Sequence, residues 1–376
     1  MGAKQERPMS IRLKKISIEG FKSIRRLDAF EPGDLTVLIG ANGAGKSNLI
    51  AFFRALSHIM SAGLQNHVAT TGRAHSWLFD GPEMTSALFA SLCMETGKGT
   101  NEYEFGLEYG ASDSLFFEKE RYRFLPQGCK DPRPKTSLGG GHVESKLWDL
   151  AERGEATPAA IRSLLRKIVV HQFHNTSFTS RMKQTWLLDD NRWLKEDGAN
   201  LAPFLLRLRS DQPPYYARIV RTIRQSLPFF ADFVLQPSNG DVLLDWHEKG
   251  TDRVFSAHQA SDGMLRFFAL VALLLQPAPD LPGVLILDEP ELGLHPHAIA
   301  TIASLIKAAA ESTQILLATQ SVTLLNEFEA DHVVVAERKG RESIFTRKSE
   351  QELATWLKDY SLGELWEKNI IGGQPA

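Results

Sequence analysis

The sequence lacks several features that mark particular protein classes. It has only two cysteines in 376 residues, Cys93 and Cys129, which argues against a disulfide framework and favours a reducing, cytoplasmic setting. Its longest apolar run, residues 267–275, is far shorter than the roughly 20 residues of a membrane-spanning helix, and the first ten residues contain no apolar export segment. The formal net charge of −2 gives no overall basic field. These absences predict a cytoplasmic protein without a membrane anchor.

Hydrophobic patterning predicts an α/β protein with a mixed sheet, crossover helices, an antiparallel β meander and a helical insertion. Helical and strand-like segments alternate from residue 261 to residue 336, as parallel strands with crossover helices do. The expected parts are an N-terminal lobe at 1–125, a linker with a mainly helical insertion at 126–232, and a C-terminal part at 233–376. The expected local elements are a strand pair at 11–30, meander strands at 85–95, 101–109 and 114–124, a mobile linker or loop at 126–141, and a mostly helical stretch at 144–230 interrupted by a strand-like segment at 167–174.

Residues 40–47, "GANGAGKS", match the pattern G-x-x-x-x-G-K-[ST] between a predicted strand and a predicted helix. Glycines at 40, 43 and 45 allow the backbone N–H groups to turn inward around an anion, and the helix beginning near Lys46 adds its positive end. Lys46 is suited to the β- and γ-phosphates of ATP, and the Ser47 hydroxyl is suited to Mg²⁺. A chance glycine turn is the plainer alternative. The predicted nucleotide contacts in this loop are Gly40, Asn42, Gly43, Ala44, Gly45, Lys46, Ser47 and Asn48.

Residues 284–290, "VLILDEP", form an apolar run that ends in two carboxylates. Such a run is typical of a buried strand, and ligands bind at the carboxyl ends of strands in open α/β sheets. Asp288 is therefore predicted to hold Mg²⁺, and Glu289 is predicted to orient and deprotonate the attacking water. A solvated acidic turn is the alternative.

Residues 261–263, "SDG", precede a long apolar helix pattern, with Ser261 as a good N-cap. A capped helix can receive an anion, but the turn alone supports only a helix start. Its place in the chain adds information. It comes before the acidic strand, which is followed by "ELGLHP" at 291–296 and, after another helix and strand, by "ATQS" at 318–321.

The order of these motifs resembles the ABC-type ATPase heads of the SMC, RecF, RecN and OLD families. The N-terminal "IEGFKSI" at 18–24 is similar to the opening strand of those heads. The strongest resemblance is to stand-alone bacterial AAA-family predicted ATPases, which share "IGANGAGKSNLI", "LDEPELGLHP" and the C-terminal "YSLGELWEKN". It covers essentially the whole chain and implies an ATP- and Mg²⁺-dependent ATPase.

The resemblance also implies a composite site between two copies of the chain. Two heads pack head to tail, and the signature Ser261 and Gly263 of one copy contact the γ-phosphate held by the P-loop of the other. ATP then holds a homodimer together, and hydrolysis by Glu289 releases it. The implied role is a switch in DNA maintenance or phage defence. Because no D-x-D pair follows the ATPase motifs, as an OLD-type nuclease domain would need, a nuclease effector is expected to be a separate protein.

Three positions depart from the family pattern or are hard to place. Gln320 stands where transporter ATPases usually have a switch histidine. It can bond a phosphate or water but cannot carry an imidazolium charge, so slow or partner-dependent turnover is expected. His295 falls in the D-loop region, where a structural or subunit-contact role is favoured over that of a base. Gln172 is one candidate for the Q-loop glutamine; the alternative is an ordinary polar residue at a strand end.

A basic arm at 161–225 contains 12 Lys and Arg against 5 Asp and Glu, with Trp186, Trp193, Tyr215 and Tyr216 interleaved. Basic charge with aromatics suits phosphate contact and base stacking, so nucleic acid is a candidate partner. A solvated helical face with paired arginines is the alternative reading.

Two other functions remain open from the sequence. A transporter ATPase subunit is disfavoured by the separation of 214 positions from Ser47 to Ser261 and by Gln320. A P-loop small-molecule kinase would have no use for "SDG" and "LDEPELGLHP".

Overall fold

The computed structural model describes residues 12–129 and 134–374. The first residues, for which the sequence predicts no export segment, lie outside this range, as do residues 130–133 of the predicted linker. Within the described residues, no helix is long and apolar enough to cross a lipid bilayer.

The strands are β1 (Arg12–Phe21), β2 (Ile24–Phe30), β3 (Leu35–Ile39), β4 (Ala87–Thr96), β5 (Gly99–Gly110), β6 (Ser114–Pro126), β7 (Thr136–Gly139), β8 (Ile168–His171), β9 (Trp186–Leu187), β10 (Phe230–Val234), β11 (Asp241–Val242), β12 (Asp245–Glu248), β13 (Val254–Ser256), β14 (Val284–Asp288), β15 (Gln314–Thr319), β16 (Val333–Lys339) and β17 (Glu342–Arg347).

The α-helices are α1 (Lys46–Ile59), α2 (Leu64–Thr70), α3 (Lys146–Glu152), α4 (Ala156–Leu165), α5 (Leu201–Asp211), α6 (Pro213–Ser226), α7 (Asp262–Leu274), α8 (Pro296–Ala310), α9 (Val322–Leu325), α10 (Glu350–Leu353) and α11 (Leu362–Glu367).

The central sheet has the strand order β17-β16-β3-β15-β14-β8. Strands β16, β3, β15, β14 and β8 are parallel neighbours, and only β17 runs antiparallel at one edge. Alternate residues of β3, β14 and β15 enter two different cores, so the sheet is buried on both faces. Near-continuous apolar runs such as "VLILD" follow from that two-sided burial.

A second sheet, with the order β2-β1-β4-β5-β6-β7, is antiparallel and contains the predicted meander. Its apolar side chains share a core with α1, α2 and one face of the central sheet. On the other face of the central sheet, helix α7 is buried over most of its length. Helices α5, α6, α8 and α9 and the small sheet of β10, β12 and β13 pack around it. The predicted fold class, a P-loop type mixed sheet with an antiparallel meander, is confirmed.

Two local predictions in the middle of the chain are wrong. Residues 175–200 are not helical: they form loops, a 3₁₀ turn at Arg181–Lys183 and the two-residue strand β9. Polar side chains explain this, because the Asn200 amide bonds Asp190 O and Trp193 O while Asn175 accepts from Ser177 N–H. Such side-chain to backbone bonds compete with helix formation.

The predicted linker at 126–141 is also partly a strand, since β7 pairs with β6 and extends the meander sheet. In addition, β8 lies inside the predicted insertion yet pairs with β14 in the central sheet. The three-part division of the chain stays a prediction, with β8 linking its middle and last parts.

Candidate functional site

The P-loop follows β3, whose residues are all buried between β15 and β16. The loop needs glycine at two positions. Gly40 and Gly45 have φ values of 152° and 108°, and a Cβ atom would collide with Ala336 O at the first and with the Ser343 side chain at the second. Gly43 also has a positive φ, 79°, but faces open space. The loop backbone is therefore pressed between β16, β17 and α1, with its tip free.

Lys46 is only 5% exposed, and its Nζ donates to the carbonyl oxygens of Gly40 and Ala41. Burial lowers the pKa of Lys46, and the nearby carboxylates of Glu289 and Asp288 oppose that shift. Lys46 follows the carboxyl end of β3, and Asp288 ends β14 in the same parallel sheet, so the amine and the two carboxylates lie at one edge of the sheet. Ser47, in the first turn of α1, is exposed at the same end of the sheet, as are Asn42 and Gly43.

Asp288 is the last residue of β14 and is buried. Burial raises its pKa, and its Oδ2 accepts a hydrogen bond of 2.9 Å from Gln172 Nε2. The Gln172 Oε1 in turn accepts from Arg54 of α1 at 2.7 Å. The candidate Q-loop glutamine thus joins the acidic strand to the P-loop helix, although its role stays a prediction.

His174 was missed by the sequence reasoning. Its Nε2 donates to the backbone oxygen of Asp288 at 3.0 Å, and its Nδ1 accepts from Gln172 Nε2 at 3.0 Å, which assigns the tautomer. The same Nε2 lies 3.9 Å from Glu289 Oε2. The sequence contains a signal for His174, because residues two apart in an extended segment lie on the same face and Gln172 is already a candidate site residue.

Glu289 has a left-handed backbone, with φ at 46°, a conformation that non-glycine residues adopt at a cost. Its N–H bonds Ala318 O at 2.9 Å, and Gln320 Nε2 donates to its Oε1 at 2.6 Å. The turn directs the carboxylate away from that of Asp288 and toward the end of β15. Gln320 therefore contacts the predicted base directly and can orient it.

Glu291 is a second residue that sequence reasoning missed. It is largely buried, which raises its pKa, and its Oε1 accepts from Thr319 Oγ1 at 2.6 Å and from Gln320 N–H at 3.4 Å. Its Oε2 is buried with no hydrogen-bond partner among the described residues. Glu291 thus holds the turn that presents Gln320.

The residues before α1 and after β16 brace the loop from outside. Asn48, predicted as a nucleotide contact, donates its amide to Ser23 Oγ at 2.6 Å, and Ser23 Oγ lies 2.7 Å from Ser343 Oγ. Ala41 N–H donates to Gly373 O near the C-terminal end of the described residues. These contacts place the β1–β2 turn and the 372–373 turn against the P-loop.

The signature turn is built differently. Ser261 is exposed and caps α7, with its Oγ accepting from Met264 N–H at 3.3 Å. A Cβ atom at Gly263 would collide with Gly293 O, so α7 begins directly against the D-loop region. Among the described residues, no hydrogen bond or ion pair joins Ser261 or Gly263 to residues 40–48 of the same chain.

Arg266, one turn into α7, was also missed. It is 8% exposed and donates to Phe173 O, Leu292 O, His174 O and Thr176 Oγ1 at 2.9–3.1 Å. A charged residue in an otherwise apolar helix run is a recognisable signal, since arginine is rarely buried without partners. Through this one side chain the signature helix holds both the Gln172–His174 segment and the D-loop region.

His295 caps α8, its Nδ1 accepting from His297 N–H, as its predicted structural role would require.

In the basic arm, many cations are already engaged: Arg181 pairs with Asp197, Lys195 with Asp190, and Arg207 with Asp280. Tyr216 is buried against Asp232. The arm is therefore less available to a polyanion than its composition suggests.

A family model described as "AAA domain, putative AbiEii toxin, Type IV TA system" matches residues 35–326, from β3 to the residue after α9. The chain belongs to this AAA-domain family. No curated protein matches the sequence.

Solved structures show the same fold. The SMC head bound to the C-winged helix domain of ScpA matches with a TM-score of 0.60 and 15% identity over 92% of this chain and 99% of that one. The SMC head domain with an extended coiled coil, bound to the C-terminal domain of ScpA derived from Pyrococcus furiosus, matches with a TM-score of 0.57 and 14% identity over 93% and 99%. This AAA-domain chain thus has the fold of SMC head domains.

Proposed function

We propose that the chain is an ATP-driven dimerisation switch whose active site is completed by a second copy. The observation that carries this proposal is the separation of the two half-sites within one chain. Lys46, Asp288 and Glu289 lie at the carboxyl ends of parallel strands of one sheet, whereas Ser261 caps an exposed helix start that no described contact links to the P-loop. A second copy in head-to-tail arrangement supplies the missing contact.

The residues present fit ATP and Mg²⁺. The exposed Ser47 hydroxyl and the Asp288 carboxylate would hold Mg²⁺, which usually takes one or two protein ligands beside phosphate oxygens. The described residues contain no cluster of three or more His, Cys, Asp or Glu side chains that would hold a metal without phosphates. When bound, ATP with Mg²⁺ supplies the phosphoryl group and neutralises its charge.

The roles of the chain's own residues follow from their contacts. Lys46 and the N–H groups of the loop bind phosphate oxygens, while Glu289 accepts the proton of the attacking water. Gln320 holds Glu289 in position through its 2.6 Å hydrogen bond. In the second copy, Ser261 and the start of α7 face the γ-phosphate, so its loss on hydrolysis removes the contact between the two copies.

The finer role of the switch is proposed to lie in DNA maintenance or in defence against phage. The family description, which names a toxin of a toxin–antitoxin system, supports the defence side, and a separate nuclease is the proposed effector. Nucleic acid is the proposed trigger, since Arg218 and Arg221 are exposed on α6 and have no ion pair among the described residues. Arg218→Glu with Arg221→Glu should weaken DNA binding and flatten its salt dependence.

Mixing two inactive variants tests the composite site. Lys46→Ala and Ser261→Arg should each abolish ATP hydrolysis, and an equal mixture should regain about a quarter of wild-type activity, because half of the dimers carry one intact site of two. Lys46→Ala mixed with Glu289→Gln is the matched control, since both residues lie in the same half-site and no dimer of these two has an intact site.

An inactive Lys46→Ala and Ser261→Arg mixture, with heterodimers verified by mass, would contradict the proposal. So would a Glu289→Gln variant that binds ATP yet stays monomeric by light scattering.

A further inference from the structure

A cavity of about 570 Å³ opens beside β8, the edge strand of the central sheet. This volume is in the range of small-molecule sites. Its walls come from α4, β8, residues 193–194, the end of α7 and the turn at 279–282. It contains none of the P-loop, signature or acidic-strand residues, so it is separate from the nucleotide site.

The rim of this cavity carries uncompensated positive charge. Arg166 and Lys167 line it and are exposed, and neither side chain has an ion pair or hydrogen bond among the described residues. Two other charged side chains on the wall already have ion-pair partners: Arg162 pairs with Glu152, and Asp280 pairs with Arg207. An anionic group is the natural partner of the two free cations.

The body of the cavity is apolar and offers an aromatic surface. Val169, Leu194 and Leu273 line it, together with Trp193, which is 52% exposed. The guanidinium of Arg192 lies 5.2 Å from the Trp193 ring and helps to hold it. A flat ring is the shape that stacks on an exposed tryptophan.

A buried histidine, His171, also lines the cavity. His171 is 3% exposed, and its Nδ1 has no hydrogen-bond partner among the described residues. Burial lowers the pKa of His171 to about 4, so the ring is neutral near pH 7. In the Nε2–H tautomer of this neutral ring, Nδ1 is a hydrogen-bond acceptor.

We propose that this cavity binds a small aromatic anion that carries an N–H donor on its ring. The anionic group lies on Arg166 and Lys167, the ring packs against Trp193, and the N–H donates to His171 Nδ1. The shared chemistry is an anion on a planar heterocycle, whether the anion is a phosphate or a carboxylate.

Binding of such a ligand would also affect the ATPase site indirectly, through β8. This effect rests on the proposed function. His171 is followed directly by Gln172, whose amide bonds the Asp288 carboxylate. A shift of β8 on ligand binding would move that amide. Binding itself needs no ATPase activity, so it can be measured separately.

Three probes test the site by ligand-observed NMR and calorimetry on the full chain: indoxyl phosphate, indole-3-carboxylate and 1-methylindole-3-carboxylate. The first two distinguish phosphate from carboxylate, and one or both should bind. The third lacks the ring N–H and should bind at least about tenfold more weakly than indole-3-carboxylate, because His171 Nδ1 stays unpaired. This ligand replaces a His171 variant, which could fail to fold.

Protein variants locate the binding. Trp193→Ala and Lys167→Gln change exposed residues and should each weaken binding about tenfold, from lost stacking and lost charge. Arg218→Gln, elsewhere on the basic arm, is the matched control and should bind as the wild type does.

Three results would overturn the proposal: no binding of any probe at millimolar concentration, equal binding of the methylated and unmethylated indoles, or binding unaffected by Trp193→Ala and Lys167→Gln. A single-stranded oligonucleotide that competes with the probes, and whose binding falls equally in Lys167→Gln and Arg218→Gln, would instead make this surface a nucleic-acid site.

Discussion

The P-loop and the signature turn are both short glycine-containing turns ahead of a helix, yet they are held in different ways. The P-loop is clamped on several sides, by Ala336 and Ser343 against its glycines and by Gly373 against Ala41. The signature turn is exposed at Ser261, and its helix is fixed from behind by Arg266. The first turn is complete within one chain. The second turn is proposed to act on a neighbouring copy of the chain.

The clamping of the P-loop can be broken at Gly45. Gly45→Ala should reduce ATP affinity by more than about 100-fold, because the added methyl collides with Ser343 in a backbone that also disfavours it. Titration with a fluorescent ATP analogue measures this, with circular dichroism to verify folding.

Gly43→Ala is the matched control for that change. It shares the positive φ but meets no atom within 4 Å, so it should cost only about tenfold or less. Equal losses in the two variants would show that backbone strain, rather than the clamp, decides the loop.

The anchoring of the signature helix can be broken at Arg266. Arg266→Met should leave ATP affinity within about threefold of the wild type but lower hydrolysis and ATP-driven dimerisation by about tenfold or more, because the helix start loses its hold on Leu292 and Phe173. Steady-state hydrolysis and light scattering measure the two effects.

Arg266→Lys keeps the charge but not the planar fork, so it should restore the function only in part. If ATP affinity falls as much as hydrolysis does in Arg266→Met, then Arg266 does not anchor the signature helix independently of the P-loop.

The smallest expected difference between the P-loop region and the signature region is how the stability of each responds to low pH. His67 stacks on His58 of the P-loop helix at 4.0 Å, and burial, together with the neighbouring positive groups, lowers its pKa from 6.5 to about 4. Between these values the unfolded chain binds the proton and the folded chain does not, so stability falls as pH falls from about 6.5 toward 4. The carbonyl and hydroxyl acceptors of Arg266 do not titrate in this range.

With a discount for the partial exposure of His67, wild type should lose about 1–2 kcal/mol more than His67→Gln between pH 7.5 and pH 5. Urea unfolding at the two pH values measures the difference. Identical losses in both proteins would remove His67 from the acid response.

The parts of the site that the sequence predicted are those made by consecutive residues. The P-loop, the acidic end of β14 and the N-cap at Ser261 each depend on local backbone geometry, on glycine at special φ values or on a side chain bonding its own turn. The alternating βα order likewise predicted the central sheet. Composition misled at residues 175–200, where Asn, Asp and Ser side chains replaced helical hydrogen bonds, and at residues 126–141, where β7 extends the meander sheet.

Tertiary structure alone decided which distant residues meet. Gln172 reaches Asp288 across 116 residues because β8 lies next to β14, and Gln320 reaches Glu289 because β15 lies on the other side. Arg266 donates hydrogen bonds to backbone oxygens such as that of His174 because α7 packs against the loops that follow those strands. These contacts depend on the strand order and on how helices pack on both faces of the sheet. The residue spacing within a single motif predicts neither.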